Sequence, residues 1–89
     1  MIERRLKIIN EKGLHARASA KFVEVVERFD AMAEVTKDGM RVSGDSIMGL
    51  LMLAASRGTE ISVTTSGPQA DALMDALDQL VQNLFGEDF

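Results

Sequence analysis

The chain of 89 residues contains no cysteine and only one histidine, and both shortages restrict its chemistry. Without cysteine it can form neither a disulfide framework nor a thiolate metal site. A single imidazole argues against a histidine-based metal site, so we expect no metal and no cofactor. The sequence also lacks a nucleophile–base–orienter triad and a glycine-rich nucleotide cradle, which argues against an independent enzyme.

Long apolar runs and an excess of basic residues are missing as well. The longest apolar run, Ile47–Ala55, is about half as long as a membrane helix. The first residues, MIERRLKIINEK, are too charged for a secretory signal. A net charge of −4 argues against nucleic acid or an anionic membrane as the main partner, because both select basic surfaces. We therefore expect a cytoplasmic protein that neither binds nucleic acid nor inserts into a membrane.

The composition that remains is that of an ordinary globular protein. Hydrophobic residues make up 46% of the chain and charged residues 27%, which is typical of a folded domain rather than a disordered segment. A chain of this length supports one modest core, so residues 1–89 are predicted to form a single domain.

The hydrophobic pattern predicts the element order βαββαβα. Strands are predicted where apolar and polar residues alternate, and helices where apolar residues recur at helical spacing. The predicted helices begin at Ala16, at Ile47 (running to Ala55 behind an N-cap at Asp45 or Ser46) and at Pro68. The predicted strands cover residues 2–8, 31–37, 40–43 and 60–66, with an Asp38-Gly39 hairpin turn between the middle two.

This order predicts a two-layer α+β domain, an open-faced sandwich with a four-stranded sheet and its helices on one face. The order of elements does not determine which strands are neighbours, since a ferredoxin-like arrangement shares the first six elements. Two functional alternatives stay open on this basis. One is a ferredoxin-like regulatory module that binds a small ligand, and the other is a pure protein-interaction domain.

The single histidine lies where the first helix is predicted to begin. His15 is then the N-cap residue, and the free backbone amides of Ala16, Arg17 and Ala18 point toward whatever the imidazole carries. Helix N-terminal amides favour a phosphoryl group, the Arg17 guanidinium can pair with its oxygens, and neutral imidazole is a phosphoryl acceptor. The alternative is a surface histidine that only caps a helix.

Two segments, GLHARASAKFVE and DSIMGLLMLAASRGTEI, resemble the two signatures of the HPr family. This family contains the histidine-containing phosphocarriers of the bacterial phosphoenolpyruvate phosphotransferase system. The resemblance implies an antiparallel sheet with strand order 1-4-2-3. It also implies that His15 accepts a phosphoryl group on Nδ1 from phospho-Enzyme I and passes it to a IIA-type protein, with Arg17 assisting.

The resemblance extends to Ser46 and has one departure. In part of the family the serine matching Ser46 is phosphorylated by an ATP-dependent kinase, which makes such a kinase a candidate partner. Many members have proline where this chain has Ala18. Alanine is a good helix former, so the helix start is expected to survive. The departure leaves open whether the chain serves sugar transport or a nitrogen-regulatory phosphorelay.

The second predicted helix is too apolar to bury all of its faces in a small domain. We expect Ile47, Met48, Leu51 and Met52 to form an exposed apolar patch that docks partner proteins, because methionine adapts to different surfaces. The alternative is that the whole segment belongs to the core. Glu87 is assigned to the terminal tail, where its mutation is expected to have little effect on binding to Enzyme I. The protein is expected to be a monomer.

Overall fold

The computed structural model describes residues 1–89 and contains four strands, three α-helices and a short 3-10 turn. None of the helices is both long enough and apolar enough to span a membrane. In chain order the elements are β1 (Ile2–Lys7), α1 (Ala16–Glu27), β2 (Met32–Lys37), β3 (Met40–Ser43), α2 (Ile47–Met52), β4 (Glu60–Ser66), α3 (Ala70–Gln82) and the 3-10 turn (Leu84–Gly86).

The strands form one antiparallel sheet in the order β1-β4-β2-β3. Both central strands are therefore bonded on two sides, and Val63 of β4 lies opposite Arg4 of β1 and Val35 of β2. This confirms the α+β class and the strand order implied by the family resemblance. The ferredoxin-like arrangement is excluded, because its strands would pair differently.

The core lies between the sheet and the helices, as the alternating strand pattern predicts. Along β4, Ile61, Val63 and Thr65 are buried, while the residues between them are half-exposed on the other face. Full burial of one large apolar side chain stabilises the fold by about 1.5–3 kcal/mol. All three helices and the 3-10 turn contribute large apolar side chains that are fully buried, and these are Phe22, Leu50, Leu73, Met74, Leu77, Val81 and Phe85.

Helix α2 is shorter than predicted, ending at Met52 instead of Ala55. Leu53 is its C-cap, and Ala54 has a left-handed φ of 51° that stops the helix. The cause is a tertiary hydrogen bond: the Ala55 carbonyl oxygen accepts from the Leu14 amide at 2.8 Å. Because Leu53 and Ala55 are also buried, the chain leaves the helix to reach the loop before α1.

Helix α3 starts at Ala70, so the prediction that Pro68 occupies its first position is wrong. Gly67 has a φ of +105°, which helical backbone cannot adopt. The amide of Gln69 donates to the Asp30 carbonyl oxygen at 3.0 Å, which holds residues 67–69 against the turn between α1 and β2. Pro68 lies in the turn that precedes the helix rather than inside it.

Gly13 allows the loop before α1 to approach the segment that follows α2. Its φ is +68°, and a Cβ atom at this position would lie 2.5 Å from the Ala55 carbonyl oxygen. Any other residue would meet both the backbone strain and the steric clash. The Gly13 amide also donates to the Asn10 carbonyl oxygen at 3.2 Å. This tight turn sets the position of the two residues that follow, Leu14 and His15.

Candidate functional site

His15 is the N-cap of α1, as the sequence predicts. Its backbone is extended, and its Nδ1 atom accepts a hydrogen bond from the Arg17 amide at 3.3 Å. The His15 carbonyl oxygen accepts from the Ser19 amide at 2.8 Å, which begins the helical hydrogen bonds. Nδ1 is therefore the ring nitrogen that faces the helix N-terminus and holds an unshared electron pair.

The first amides of α1 form a positive end around Nδ1. The amides of Ala16, Arg17 and Ala18 precede the first residue that can bond within the helix, so the helix itself leaves them without acceptors. Together with the helix dipole they favour a negative group at this position. The structure therefore brings together the three amides and the imidazole that sequence analysis selected.

The other ring nitrogen, Nε2, contacts Glu87, which sequence analysis assigned to the terminal tail and gave no role in the site. It forms a hydrogen-bonded ion pair with the Glu87 Oε2 atom, 72 residues away in the chain. The second Glu87 oxygen, Oε1, accepts from Asn10 Nδ2 at 2.9 Å. Asn10 is fully buried and also donates from Nδ2 to the Gly13 carbonyl oxygen at 2.8 Å. Both oxygens of one carboxylate are thus engaged beside the ring.

The surroundings of Glu87 change its acidity. Partial burial opposes ionisation, but the hydrogen bonds from Asn10 and His15 and the positive charges of His15 and Lys12 outweigh it and lower the pKa of Glu87 below its ordinary value of 4.5. The carboxylate is therefore ionised at neutral pH and can only accept hydrogen bonds. The proton of the His15–Glu87 contact consequently resides on Nε2.

A groove of about 340 Å³ opens beside His15 and carries three cationic side chains. Arg17 is exposed and makes no ion pair within the chain, so its guanidinium is available to an anion. Lys21 lies one turn further along α1 and donates from Nζ to the Phe85 carbonyl oxygen at 2.7 Å. The third is Lys12, in the loop after β1. No group of three acidic or histidine side chains suited to a metal ion is present.

Ser46 is the N-cap of α2, which confirms one of the two predicted caps. Its Oγ accepts from the Gly49 amide at 3.0 Å, whereas Asp45 accepts from the Ser43 hydroxyl at 2.6 Å. Gly49 packs closely here, since a Cβ atom would lie 3.1 Å from Ser46 Oγ. Such a cap contributes about 1 kcal/mol to the stability of the protein.

The outward side of α2 is apolar. Ile47, Met48 and Met52 are 40%, 70% and 64% exposed, and Leu51 is half-buried. Leu50 alone in this helix is buried, so the alternative that the whole segment is core is wrong. The Leu14–Ala55 hydrogen bond ties the chain just beyond this patch to the loop that presents His15.

The roles of Asn10, Lys21 and Glu87 in this geometry had no signal in the sequence. Each is a common polar residue outside the recognisable motifs, and Glu87 is far from His15 along the chain. The Phe85-Gly86 pair after the last helical residue was the only available hint, because glycine commonly follows a helix end. A contact across 72 residues depends on how α3 and its terminal turn pack, which local pattern does not encode.

Comparison with known proteins gives one consistent family. Residues 2–83 match the family model described as the PTS HPr component phosphorylation site. The phosphocarrier protein HPr of Neisseria meningitidis serogroup A is 47% identical over 87 residues, covering 98% of each chain. An HPr crystal structure from Thermoanaerobacter tengcongensis superimposes with a TM-score of 0.95 at 35% identity over the full length of both chains. An HPr dimer from the same organism has a TM-score of 0.78 at 36% identity, with 98% of this chain and all of that chain covered.

The lowered pKa of Glu87 predicts a pH-dependent contribution to stability. A carboxylate whose folded pKa is below its unfolded pKa stabilises the fold above the unfolded value, and this stabilisation disappears as the pH falls through the folded value. We expect Glu87→Gln to be less stable than wild type by about 1 kcal/mol at pH 7. At a pH below the folded pKa of Glu87, where residue 87 is neutral in both proteins, the difference should close.

Urea denaturation of both proteins at the two pH values measures this effect. Asp88→Asn is the matched control, because Asp88 is an exposed neighbour that forms no side-chain hydrogen bond or ion pair. Its stability should stay within about 0.5 kcal/mol of wild type at both pH values. A Glu87→Gln difference that does not depend on pH would contradict the prediction.

Proposed function

The chain belongs to the HPr family of phosphocarrier proteins of the phosphotransferase system, and we propose that it accepts a phosphoryl group on His15 from phospho-Enzyme I and donates it to a IIA-type protein. The observation that carries this proposal is the position of His15 Nδ1. This atom faces the free amides at the start of α1 and lies beside a groove that carries Arg17. Members of this family carry phosphoryl groups and are not catalysts themselves.

The transfer step follows from this geometry. The Nδ1 electron pair attacks phosphorus, and the bond between phosphorus and the donor's leaving atom breaks with its electron pair staying on the donor. The amides of Ala16, Arg17 and Ala18 and the Arg17 guanidinium then surround the phosphoryl oxygens, and the Arg17 amide exchanges its bond to Nδ1 for one to a phosphoryl oxygen. Onward transfer returns the N–P electron pair to Nδ1.

We further propose that the apolar patch, Ile47, Met48, Leu51 and Met52, docks Enzyme I and the IIA-type protein in turn. Three of these side chains are exposed, and apolar side chains that lose their water on binding are frequent interface anchors. A carrier must release one partner before it meets the next, which an adaptable methionine surface permits. The site is complete within one chain, so a cytoplasmic monomer suffices for this cycle.

The branch of the system depends on which IIA-type protein accepts the phosphoryl group. Ala18, where many family members have proline, is buried in the first turn of α1 and leaves the cap intact. Both sugar transport and a nitrogen-regulatory phosphorelay use the same chemistry at His15. The proposal covers either acceptor.

Ser46 is proposed as a regulatory position at the edge of the patch. A kinase that phosphorylates its hydroxyl would place a charge near −2 directly before Ile47 and Met48. The helix N-terminus tolerates this charge, but apolar docking beside it is opposed. The modification would therefore change partner binding and leave the fold intact.

Phosphorylation is expected to require His15 and to be accelerated by Arg17. Incubation with phosphoenolpyruvate and Enzyme I, followed by intact-mass spectrometry, should add one phosphoryl group to wild type and none to His15→Ala. Arg17→Ala should fold normally and accept the group about tenfold more slowly or worse, because a charge-assisted hydrogen bond is removed. Arg28→Ala, at the other end of α1, is the control. A phosphoryl group found on His15→Ala would refute the assignment of His15 as acceptor. Equal rates of phosphoryl uptake by the two arginine variants would refute the role of Arg17.

The docking surface predicts a different effect. Met48→Asp should weaken binding to Enzyme I about tenfold or more, because a charge enters a surface that must lose its water. Met32→Asp is the control, since Met32 is 72% exposed but lies at the start of β2. Calorimetric titration gives the affinities, and circular dichroism confirms folding. If both variants lost the same affinity for Enzyme I, the docking surface would not be the apolar patch.

Ser46→Asp is expected to slow phosphoryl uptake without changing the stability of the fold. Aspartate caps helices about as well as serine, so the free energy of unfolding should change by less than about 1 kcal/mol. Phosphoryl uptake from Enzyme I should be slower, because the new charge lies beside the patch. Gln69→Asp places the same charge at the N-cap of α3 and should not slow uptake. Identical uptake by wild type and both variants would leave Ser46 as a cap alone.

A further inference from the structure

The sulfur chemistry of this protein rests entirely on methionine. The chain contains six methionines and no cysteine, tryptophan or tyrosine, so its thioether sulfurs are the groups that a mild peroxide oxidises first. Methionine is usually buried in folded proteins, and Met74 follows this rule with no exposed surface. The other five methionines are at least 41% exposed. Most of the methionines in this chain are therefore open to solvent.

Two of the exposed methionines lie side by side in the apolar patch. Met48 and Met52 are 70% and 64% exposed, and they are four residues apart in α2, so they share one side of the helix. The inner side of the helix is occupied, because Leu50 is fully buried and a Cβ atom on Gly49 would lie 3.0 Å from Val42 Cβ. The helix is thus fixed against β3 and cannot turn either thioether away from solvent.

Hydrogen peroxide oxidises a thioether in one balanced step. The sulfur electron pair attacks one peroxide oxygen, the O–O bond breaks as the S–O bond forms, and the leaving oxygen takes the remaining proton and departs as water. The sulfur loses two electrons and the peroxide gains them. Two thiols of a reductase reverse the step, because they become a disulfide while the sulfoxide oxygen leaves as water.

The sulfoxide changes the patch more than it changes the fold. It is polar where the thioether was apolar, and on a free surface it stays hydrated. A docking partner must remove that water, which is unfavourable wherever the partner offers no hydrogen-bond donor. Met74 lies in the core, where peroxide has no access in the folded protein. Oxidation therefore acts on association and leaves the packing intact.

We infer that Met48 and Met52 are modification sites for hydroperoxides, and that their conversion to sulfoxides reversibly weakens the docking of partner proteins. The inference rests on the proposed docking role of the patch. Met1, Met32 and Met40 are also exposed, but they are the first residue of the chain and the first residues of β2 and β3, outside the patch. Their oxidation is expected to leave docking unchanged.

The test first measures where peroxide adds oxygen and then what the oxygen does. Peptide mapping of the folded protein during treatment with hydrogen peroxide should show Met48 and Met52 oxidised about tenfold faster than Met74, or more. The urea midpoint of the treated protein should stay that of wild type. Its affinity for Enzyme I, measured by calorimetric titration, should fall about tenfold or more. Treatment with the two stereospecific methionine sulfoxide reductases should restore the affinity.

The double variant Met48→Leu, Met52→Leu is the matched control. Leucine keeps an apolar side chain of similar volume and has no sulfur to oxidise, while the variant retains the three exposed methionines outside the patch. The ratio of its affinities for Enzyme I before and after peroxide should stay near one. This ratio is independent of any small change that the substitutions themselves make to binding.

Three results would overturn the inference. The first is oxidation of Met74 as fast as that of Met48 in the folded protein, and the second is an unchanged affinity of wild type once Met48 and Met52 carry oxygen. The third is an equal loss of affinity in the double variant, since the effect would then arise from another methionine. A failure of the proposed function is separate, because untreated wild type would then not bind Enzyme I at all.

Discussion

A single hydrogen bond, from the Leu14 amide to the Ala55 carbonyl oxygen, joins the loop that carries His15 to the segment that ends α2. Gly13 makes it possible, because any side chain at that position would clash with the same carbonyl group. The bond lies two residues before the start of α1 and three residues after the end of α2. The histidine and the apolar patch are therefore parts of one connected surface rather than independent features of two helices.

The start of α1 combines a buried helix with an exposed end. Ala18, Ser19 and Phe22 are buried against the core, so the helix cannot rotate to hide its first turn. Ser19 also donates from its hydroxyl to the Leu14 carbonyl oxygen at 3.3 Å, which holds the loop against the helix. Free amides and an exposed arginine are thus kept in place by apolar packing. A flexible loop with the same residues would have to lose conformational freedom each time it bound an anion.

The charge around the site differs from that of the whole chain. The protein has a net charge of −4, yet the groove beside His15 carries three cationic side chains next to its carboxylates. Charges of both signs therefore lie together in this groove, and they offset one another. Glu87 is the carboxylate closest to the ring, and its position depends on the burial of Phe85 two residues earlier.

Local pattern accounts for much of this architecture. The element order, the N-cap roles of His15 and Ser46 and the burial of alternate strand residues all follow from interactions within a few residues. These features can be predicted from the sequence, because turns and helix caps are formed by groups that are neighbours in the chain. The strand order could not be predicted from the hydrophobic pattern, because the pairing of strands that are distant in the chain has no local signature. It was predicted from the resemblance to a family.

Helix ends and the far side of the site were decided by tertiary contacts. The hydrophobic pattern predicted that α2 extends to Ala55 and that α3 starts at Pro68. Both predictions were wrong because the helix ends depend on the Leu14–Ala55 and Gln69–Asp30 hydrogen bonds, which join residues far apart in the chain. By itself the sequence determined that a histidine would cap a helix beside an arginine. Only the folded chain decided that a carboxylate from the last residues would meet Nε2, because that contact requires α3 and the buried Phe85 to be packed first.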